Sequence, residues 1–219
     1  MKLQIFIKSL TLWSAWVLAA VLLGGCSRTV TWEEEVPLNT GETIWVKRSM
    51  PWVYKGGFGN PFAMSMLPTG EQTIRFQYAG SEYSYTGRAN IHWIAVSPET
   101  KRPVLVAPAA DFGWYTDNTY FCVIPYYVQL VPDATGMHWT WPEKIEPWLY
   151  ELPANVMGNA PRLEEKRKER YTVIDRDQRD QTRRRESPFR SRIDPLYKAG
   201  TCISNYKPTF SPNLNGSKK

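Results

Sequence analysis

The sequence predicts a mainly β protein: an antiparallel β-sandwich or small barrel built from hairpins, followed by a basic, partly helical C-terminal arm. Three observations lead to this fold class. Apolar residues alternate with polar ones over short runs, Gly-containing turns separate consecutive runs, and the connections between paired runs are rich in proline and glycine. Helical periodicity is absent before residue 159. The pattern therefore predicts a β-rich body over residues 31–153 and an arm over residues 154–219.

The first two hairpins carry the clearest alternation. Apolar residues, interrupted by Glu34, occupy every second position on both sides of a turn at residues 39–42, which predicts a hairpin over residues 30–46. The same design recurs over residues 74–85, with a turn at residues 79–82. One face of each strand is apolar, so each hairpin is expected to cover one side of a core.

The later strands of the body are shorter or interrupted by proline. Residues 90–109 form a third hairpin candidate whose arms are apolar on both faces, as interior strands are. Residues 118–132 form the longest strand candidate, in which Pro125 favours an edge position or a bulge. Short strands are expected within residues 137–152. The glycine- and proline-rich stretch at residues 49–71 is predicted to be a long loop.

The arm begins with a helix signal. Asn159 can cap a helix and Pro161 suits a first turn, so the charged stretch that follows predicts a surface helix over residues 159–171. Residues 175–192 are highly polar and have the composition of a partly disordered segment. The arm is therefore expected to contribute little to a hydrophobic core.

Charge separates an acidic body from a basic arm. Residues 26–160 hold nine basic and thirteen acidic side chains, whereas residues 161–192 hold twelve basic and seven acidic ones. The excess positive charge gathers in one basic patch, formed by Arg183, Arg184 and Arg185. Its target is either the acidic body, including residues 33–35, or an anionic surface of lipid or cell wall. A solvated arm that only keeps the protein soluble is the third interpretation.

The N-terminus has the parts of a secretory signal: Lys2 and Lys8, an apolar run, and small residues at its end. The run Leu23-Gly24-Gly25-Cys26 resembles the lipobox of bacterial lipoproteins, in which the thiol is acylated and the chain is cut just before it. An uncleaved N-terminal anchor with an incidental cysteine is the alternative.

The lipobox resemblance implies an address for the protein. Residues 1–25 would be a signal peptide, and Cys26 would carry a diacylglyceryl group and an N-acyl chain such as palmitate. Residues 26–30 would then be a lipid-attached tether. Ser27, by analogy with sorting in enteric bacteria, favours the outer membrane with the body facing the periplasm. The net charge of +6 therefore does not predict a nucleic-acid partner, because an exported lipoprotein rarely meets one.

Two further cysteines, Cys122 and Cys202, remain after the lipobox. The oxidising envelope makes them a candidate disulfide, which would join the arm to the body. Two buried or idle thiols are the alternative.

The sequence offers no catalytic residue, cofactor motif or metal site. Its glycine-rich stretch at residues 56–59 lacks the ending of a phosphate-binding loop, and no nucleophile elbow is present. The two histidines, His92 and His138, have no further ligands at metal-binding spacing. Aspartates in loops, Asp111, Asp117 and Asp133, give only a weak case for glycan hydrolysis.

Aromatic residues in or beside loops are the better candidates for a binding patch, because flat rings suit sugar faces and partner proteins. The predicted patch consists of Trp114, Tyr115, Trp139 and Trp141. Core filling is the alternative, since large aromatic side chains dominate β cores.

Several stretches of the body resemble a family of proteobacterial lipoproteins; they are TWEEEVPLNTGETIWVKR, IRFQYAGSEYSYTG, YFCVIPYYVQLVPDATG and WTWPEKIEPWLYELP. The resemblance implies a location in the envelope, and it carries no assigned activity or catalytic residues. We therefore expect a membrane-anchored lipoprotein that is a non-catalytic binding or structural protein with a protein or glycan partner. The alternative is a periplasmic glycan or cell-wall hydrolase that is tethered by its lipid.

Overall fold

The computed structural model describes residues 27–57, 60–109, 126–142, 145–158, 160–161, 168–186 and 191–196, with the backbone alone at 54–57, 60–67 and 181–186. The chain divides into two compact units. One unit comprises Thr29–Pro51 and Gly70–Lys219, and it holds the second sheet, most of the first sheet, and the cores and site described below. The other comprises Met1–Arg28 and Trp52–Thr69.

In the described residues, ten strands form two sheets, which confirms the predicted mainly β fold. The first sheet has six strands in the order β10-β1-β2-β4-β5, with β3 paired to β2. Its strands are β1 (Ser27–Pro37), β2 (Thr43–Gly57), β3 (Asn60–Pro68), β4 (Gln72–Tyr78), β5 (Ser81–Gly87) and β10 (Arg170–Tyr171). The second sheet has four strands in sequence order, β6 (Trp93–Val96), β7 (Pro103–Pro108), β8 (Tyr127–Pro132) and β9 (Trp139–Thr140). Neither sheet closes into a barrel, so the sandwich alternative fits the structure.

The β4–β5 hairpin has a two-residue turn, shorter than the four-residue turn predicted at residues 79–82. Tyr78 pairs with Ser81, and both residues between them, Ala79 and Gly80, have positive φ angles of 49° and 78°. Such a turn matches the right-handed twist of the flanking strands. The alternation therefore places Ile74, Phe76, Tyr83 and Tyr85 in the core, as the sequence predicts.

Two hydrophobic clusters enclose the second sheet. Its residues Ile94, Leu105 and Val128 belong to a core shared with the apolar face of the first sheet. Its opposite face packs Trp93, Val106 and Tyr127 against a second cluster that includes Leu149, Ala154 and Ile193. Strands β6 and β7 are buried along their whole length, which explains why their sequences are apolar on both faces.

Strand β6 lies at one edge of the second sheet, and two asparagine side chains bond to its outer backbone groups. Asn39 accepts a hydrogen bond from the Val96 N–H (2.7 Å) and donates one to the Val96 carbonyl (3.0 Å). Asn155 makes the same pair of bonds with Ile94, at 2.9 and 2.7 Å. Each carboxamide takes the place of a neighbouring strand residue, which protects an edge that could otherwise pair with another chain.

The predicted loop at residues 49–71 is wrong for most of its length. Strands β2 and β3 form a hairpin there, in which Trp52 pairs with Pro68 and Gly56 with Met64. Proline and glycine lower the β propensity of this stretch, but Pro68 ends its strand and the register shifts only next to Gly57. The residues between therefore pair in an unbroken ladder.

Strand β1 begins earlier than expected. Residues 27–30 were assigned to a tether, yet β1 starts at Ser27 and Val30 is fully buried. Val30 continues the alternation of Trp32 toward the N-terminus, so it occupies a core-facing position.

Within the described part of the arm, the helix lies in the segment expected to be disordered. Residues 168–171 of the predicted helix are not helical; Arg170 and Tyr171 form β10, which pairs in parallel with β1. The helix is α1 (Val173–Glu186). Thr172 caps it by accepting a bond from the Asp175 N–H (3.3 Å), and Asp175 accepts one from the Thr172 N–H (3.1 Å). This reciprocal capping box fixes the start of the helix.

Helix α1 contacts the body through charged side chains. Arg176 and Asp180, one turn apart on α1, are 4% and 5% exposed. Arg176 donates to the Asn155 carbonyl (2.5 Å), and Asp180 accepts from the Gly158 N–H (3.0 Å). Farther along, Ile193 is fully buried in the second cluster. The boundary predicted at residue 154 therefore does not separate an arm from the core.

Candidate functional site

The face of the first sheet that points away from the core carries a shallow groove of about 490 Å³. Strand β2 creates it by alternation: Val46 and Arg48 are buried, whereas Trp45 and Lys47 are exposed. The groove is lined by Glu33, Ile44, Trp45, Lys47, Arg75, Phe76, Gln77 and Glu82. Its volume lies within the range of small-molecule binding sites, about 300–1,000 Å³.

Trp45 is the exposed aromatic residue of this groove. Its side chain is 43% exposed, although large aromatic side chains usually lie in cores. The guanidinium of Arg170 lies 5.2 Å from the centre of the indole ring and forms a salt bridge with Glu33 at 2.8 Å. The β1–β10 pairing thus holds a cation against Trp45 and orients the ring.

Charged and amide side chains surround the ring. Lys47 and Arg75 are directly opposite in the β2–β4 register, and Gln77 and Glu82 are directly opposite in the β4–β5 register. The groove therefore offers cations, an amide and a carboxylate beside one exposed indole. Such a set can bind a polar ligand with a flat apolar face.

A buried ion pair lies on the opposite face of the same strands. Arg48 donates to Glu34 at 2.9 Å, and neither side chain is exposed to solvent. Arg48 also donates to the Met157 carbonyl and to Gln72, both at 2.5 Å, and its guanidinium lies 4.9 Å from the Trp32 ring. The second oxygen of Glu34 accepts a 2.6 Å bond from the Met157 N–H. This network ties β1, β2 and β4 together beneath the groove.

The three acidic residues expected as a target of the arm have separate roles. Glu33 pairs with Arg170, and Glu35 accepts a 3.2 Å bond from the N–H of Val173, the first residue of α1. Glu34 is enclosed with Arg48. The arm thus contacts the acidic body at Glu33 and Glu35, and Glu35 lies at the N-terminus of α1, which favours a negative charge.

Half of the predicted site residues lie outside the described part of the chain. These are Cys26, Cys122, Cys202, Trp114 and Tyr115, so the lipid attachment, the disulfide and half of the aromatic patch stay predictions. Arg183, Arg184 and Arg185 lie on α1, where the backbone alone is described. Their basic patch also stays a prediction.

Trp139 and Trp141 were expected in an exposed binding patch, but both side chains pack against the core. Trp139 is 4% exposed, contacts Tyr83 and Tyr85, and donates to the Ser84 carbonyl at 2.7 Å. It therefore fills the core, which was the alternative interpretation. Trp141 is half-buried against the same core.

Two carboxyl groups of the described residues have shifted pKa values, and both shifts are downward. Hydrogen bonding from the Thr135 hydroxyl lowers the pKa of Asp133, and hydrogen bonding from Lys168 lowers that of Asp175. Both aspartates organise local structure, one in the loop between β8 and β9 and the other in the α1 capping box. Each is thereby held in its charged form near neutral pH.

The described residues contain no group of three or more His, Cys, Asp or Glu side chains that could hold a metal ion. Within the same residues, no helix is both long enough and apolar enough to cross a membrane. Comparisons of the chain with protein-family models, with curated proteins and with solved structures found no match.

Proposed function

We propose that this chain is a lipid-anchored lipoprotein of the bacterial envelope whose β-rich body is a non-catalytic binding domain. The observation that supports binding is the groove around Trp45, an exposed indole among charged and amide side chains. The anchor is supported by the resemblance of residues 23–26 to a lipobox. Each buried CH₂ of an acyl chain contributes about 0.8 kcal/mol, so two or more chains on Cys26 would hold the body at the membrane.

The chemistry of the groove favours binding over hydrolysis. A glycan hydrolase needs one carboxylic acid with a raised pKa, which donates a proton to the leaving group, and a second carboxylate opposite it. Asp133, one of the loop aspartates considered for glycan hydrolysis, has a pKa that hydrogen bonding lowers, which is the opposite of the shift that a proton donor needs. Within the groove, Glu33 is committed to Arg170. These features favour a surface that holds a ligand without cleaving it.

Metabolic labelling with fatty acid tests the anchor. We expect the parent protein to be labelled and cut before Cys26, and Cys26→Ala to be neither labelled nor cut. Cys202→Ala is the matched control, because it removes a thiol outside the lipobox and should be labelled normally. A Cys26→Ala protein that is still processed and released would contradict the lipoprotein proposal.

Photo-crosslinking in intact cells tests the binding domain. A photoreactive amino acid at position 47, in the groove, should form an adduct that is missing when the same group replaces Lys101, which is exposed in the β6–β7 turn. Identical adducts from both positions would contradict a binding role for the groove. Glycan cleavage by the purified protein that is lost on substitution of one carboxylate would favour the hydrolase alternative.

A further inference from the structure

The groove contains a pair of like charges that face each other. Lys47 and Arg75 are register partners on the exposed face of the sheet. Side chains directly opposite in an antiparallel pair have Cβ atoms about 4.5–5.5 Å apart, and like charges there are destabilising. Within the described ranges of the chain, neither cation forms an ion pair. An anion from outside the chain would relieve this repulsion.

The same groove offers partners for hydroxyl groups and for a flat ring. Gln77 follows Arg75 by two residues on β4, and it lies directly opposite Glu82 on β5. Together, Gln77 and Glu82 supply hydrogen-bond donors and acceptors. Trp45 precedes Lys47 by two residues, so both side chains project from the same face. A ligand that satisfies all of these groups needs a negative charge, several hydroxyls and an apolar ring face.

We infer that the groove binds an acidic sugar, a hexuronic acid or a similar carboxylated ring within a glycan. The carboxylate would lie between Lys47 and Arg75, the hydroxyls would bond Gln77 and Glu82, and the ring would contact Trp45. A neutral sugar leaves the two cations unbalanced, and an acidic peptide brings no hydroxyl-bearing ring. This inference rests on the proposed binding function, since it names the ligand class of that same groove.

Calorimetric titration of the full-length protein in detergent micelles tests the inference. The probes are an oligogalacturonate, in which every ring carries a carboxylate, and a malto-oligosaccharide of equal length, which is neutral. We expect the acidic chain to bind about tenfold or more tightly than the neutral one, because two new charge contacts are worth roughly 1–2 kcal/mol. Its affinity should fall as salt is raised, since exposed charges are screened.

Variants of the groove locate the binding. The double variant Lys47→Gln/Arg75→Gln should bind the acidic chain about tenfold more weakly than the parent. Arg88→Gln/Lys101→Gln removes two exposed cations elsewhere and should bind like the parent. Trp45→Ala should also bind about tenfold more weakly, whereas Trp45→Tyr, which keeps a flat ring, should retain most of the affinity. Thermal unfolding of each variant shows whether it is folded.

Three results would overturn the inference: equal affinity for the acidic and neutral chains, equal affinity for polyglutamate and oligogalacturonate, or unchanged binding by a folded Lys47→Gln/Arg75→Gln variant. None of these three results would contradict the proposed function. A protein that is acylated on Cys26 and forms position-47 adducts in cells, but binds no uronic acid, is a binding lipoprotein with another ligand. A protein that binds uronic acid but is not acylated keeps the inference and loses the anchor.

Discussion

Replacing Arg48 by Met is expected to be among the most destabilising single changes in the body. Met retains an unbranched side chain but removes the guanidinium, which contacts Glu34, Gln72, the Met157 carbonyl and the Trp32 ring. Glu34 would remain fully buried, with the Met157 N–H as its one remaining donor among the described contacts. A buried carboxylate without a counter-ion is unfavourable, because burial removes its hydration.

The magnitude follows from the burial of both partners. Removing one member of a buried ion pair costs about 3–5 kcal/mol, whereas removing both charges is often close to neutral. Arg48→Met should therefore lower the free energy of unfolding by about 3–5 kcal/mol. The double variant Glu34→Gln/Arg48→Met should be more stable than Arg48→Met alone by about 2 kcal/mol, since no uncompensated charge remains. Arg75→Met, on the exposed face of β4, should change stability by about 0.5 kcal/mol or less.

Equilibrium unfolding in urea, followed by tryptophan fluorescence, measures the parent, these three variants and the single variant Glu34→Gln, and it shows whether their denaturant slopes agree. Two outcomes would refute the reasoning. One is a loss below about 1 kcal/mol for Arg48→Met, the value expected of an exposed pair. The other is a double variant whose loss equals the sum of the single losses, because the two side chains would then be independent.

Three further predictions address the turn, the helix cap and the thiols. Gly136→Ala should destabilise the body by at least about 1 kcal/mol more than Gly80→Ala. Both glycines have positive φ, but a Cβ at Gly136 would lie 2.7 Å from a backbone carbonyl oxygen, whereas one at Gly80 meets nothing within 4 Å; equal losses of melting temperature would contradict this contact. Asp175→Asn should be less stable than the parent at neutral pH, and the difference should shrink as pH falls below about 3.8, because a carboxyl with a lowered pKa stabilises only while it is charged; a difference in melting temperature that does not change between neutral pH and the acid limit would contradict the cap. Protein from the envelope should have an intact mass two hydrogens below the dithiol value if Cys122 and Cys202 are joined, a closure worth over about 4 kcal/mol in the loop-entropy model; titration of free thiols at both positions would exclude the bridge.

The hairpins were predictable because alternation and turn chemistry are local signals. The turn at Ala79-Gly80 and the core positions Ile74 and Phe76 follow from a few neighbouring residues. The β2–β3 hairpin was predicted to be a loop, because proline and glycine have low β propensity. Pairing between the two backbones outweighs that low propensity here.

The buried ion pair could be predicted only by considering Glu34 and Arg48 together. Glu34 is in phase with Trp32 and Val36, and Arg48 is in phase with Val46, so both charges occupy core-facing positions. A charge at such a position needs a partner, and two of opposite sign on adjacent strands point to each other. That they also meet the Met157 backbone, more than 100 residues later, is a tertiary fact that no local pattern carries.

The helix and the groove were missed for related reasons. Helix α1 has no apolar stripe, because its buried residues Arg176 and Asp180 contact backbone groups; the capping box at Thr172 was the readable signal. In β2, Val46 and Arg48 point to the core, whereas Trp45 and Lys47 point to the opposite, exposed face. An aromatic residue on that face of the strand predicts an exposed ring. The predicted aromatic patch, by contrast, consisted of residues in or beside loops.

Mass spectrometry of the N-terminal peptide from envelope-purified protein tests the central claim most directly. Trypsin cuts after Lys and Arg, so a processed lipoprotein would yield Cys26-Ser27-Arg28 carrying a diacylglyceryl thioether and an amide-linked acyl chain. The account predicts this lipidated tripeptide and no peptide from residues 9–25. A peptide spanning residues 9–28 with a free thiol would contradict it and would establish the uncleaved anchor instead.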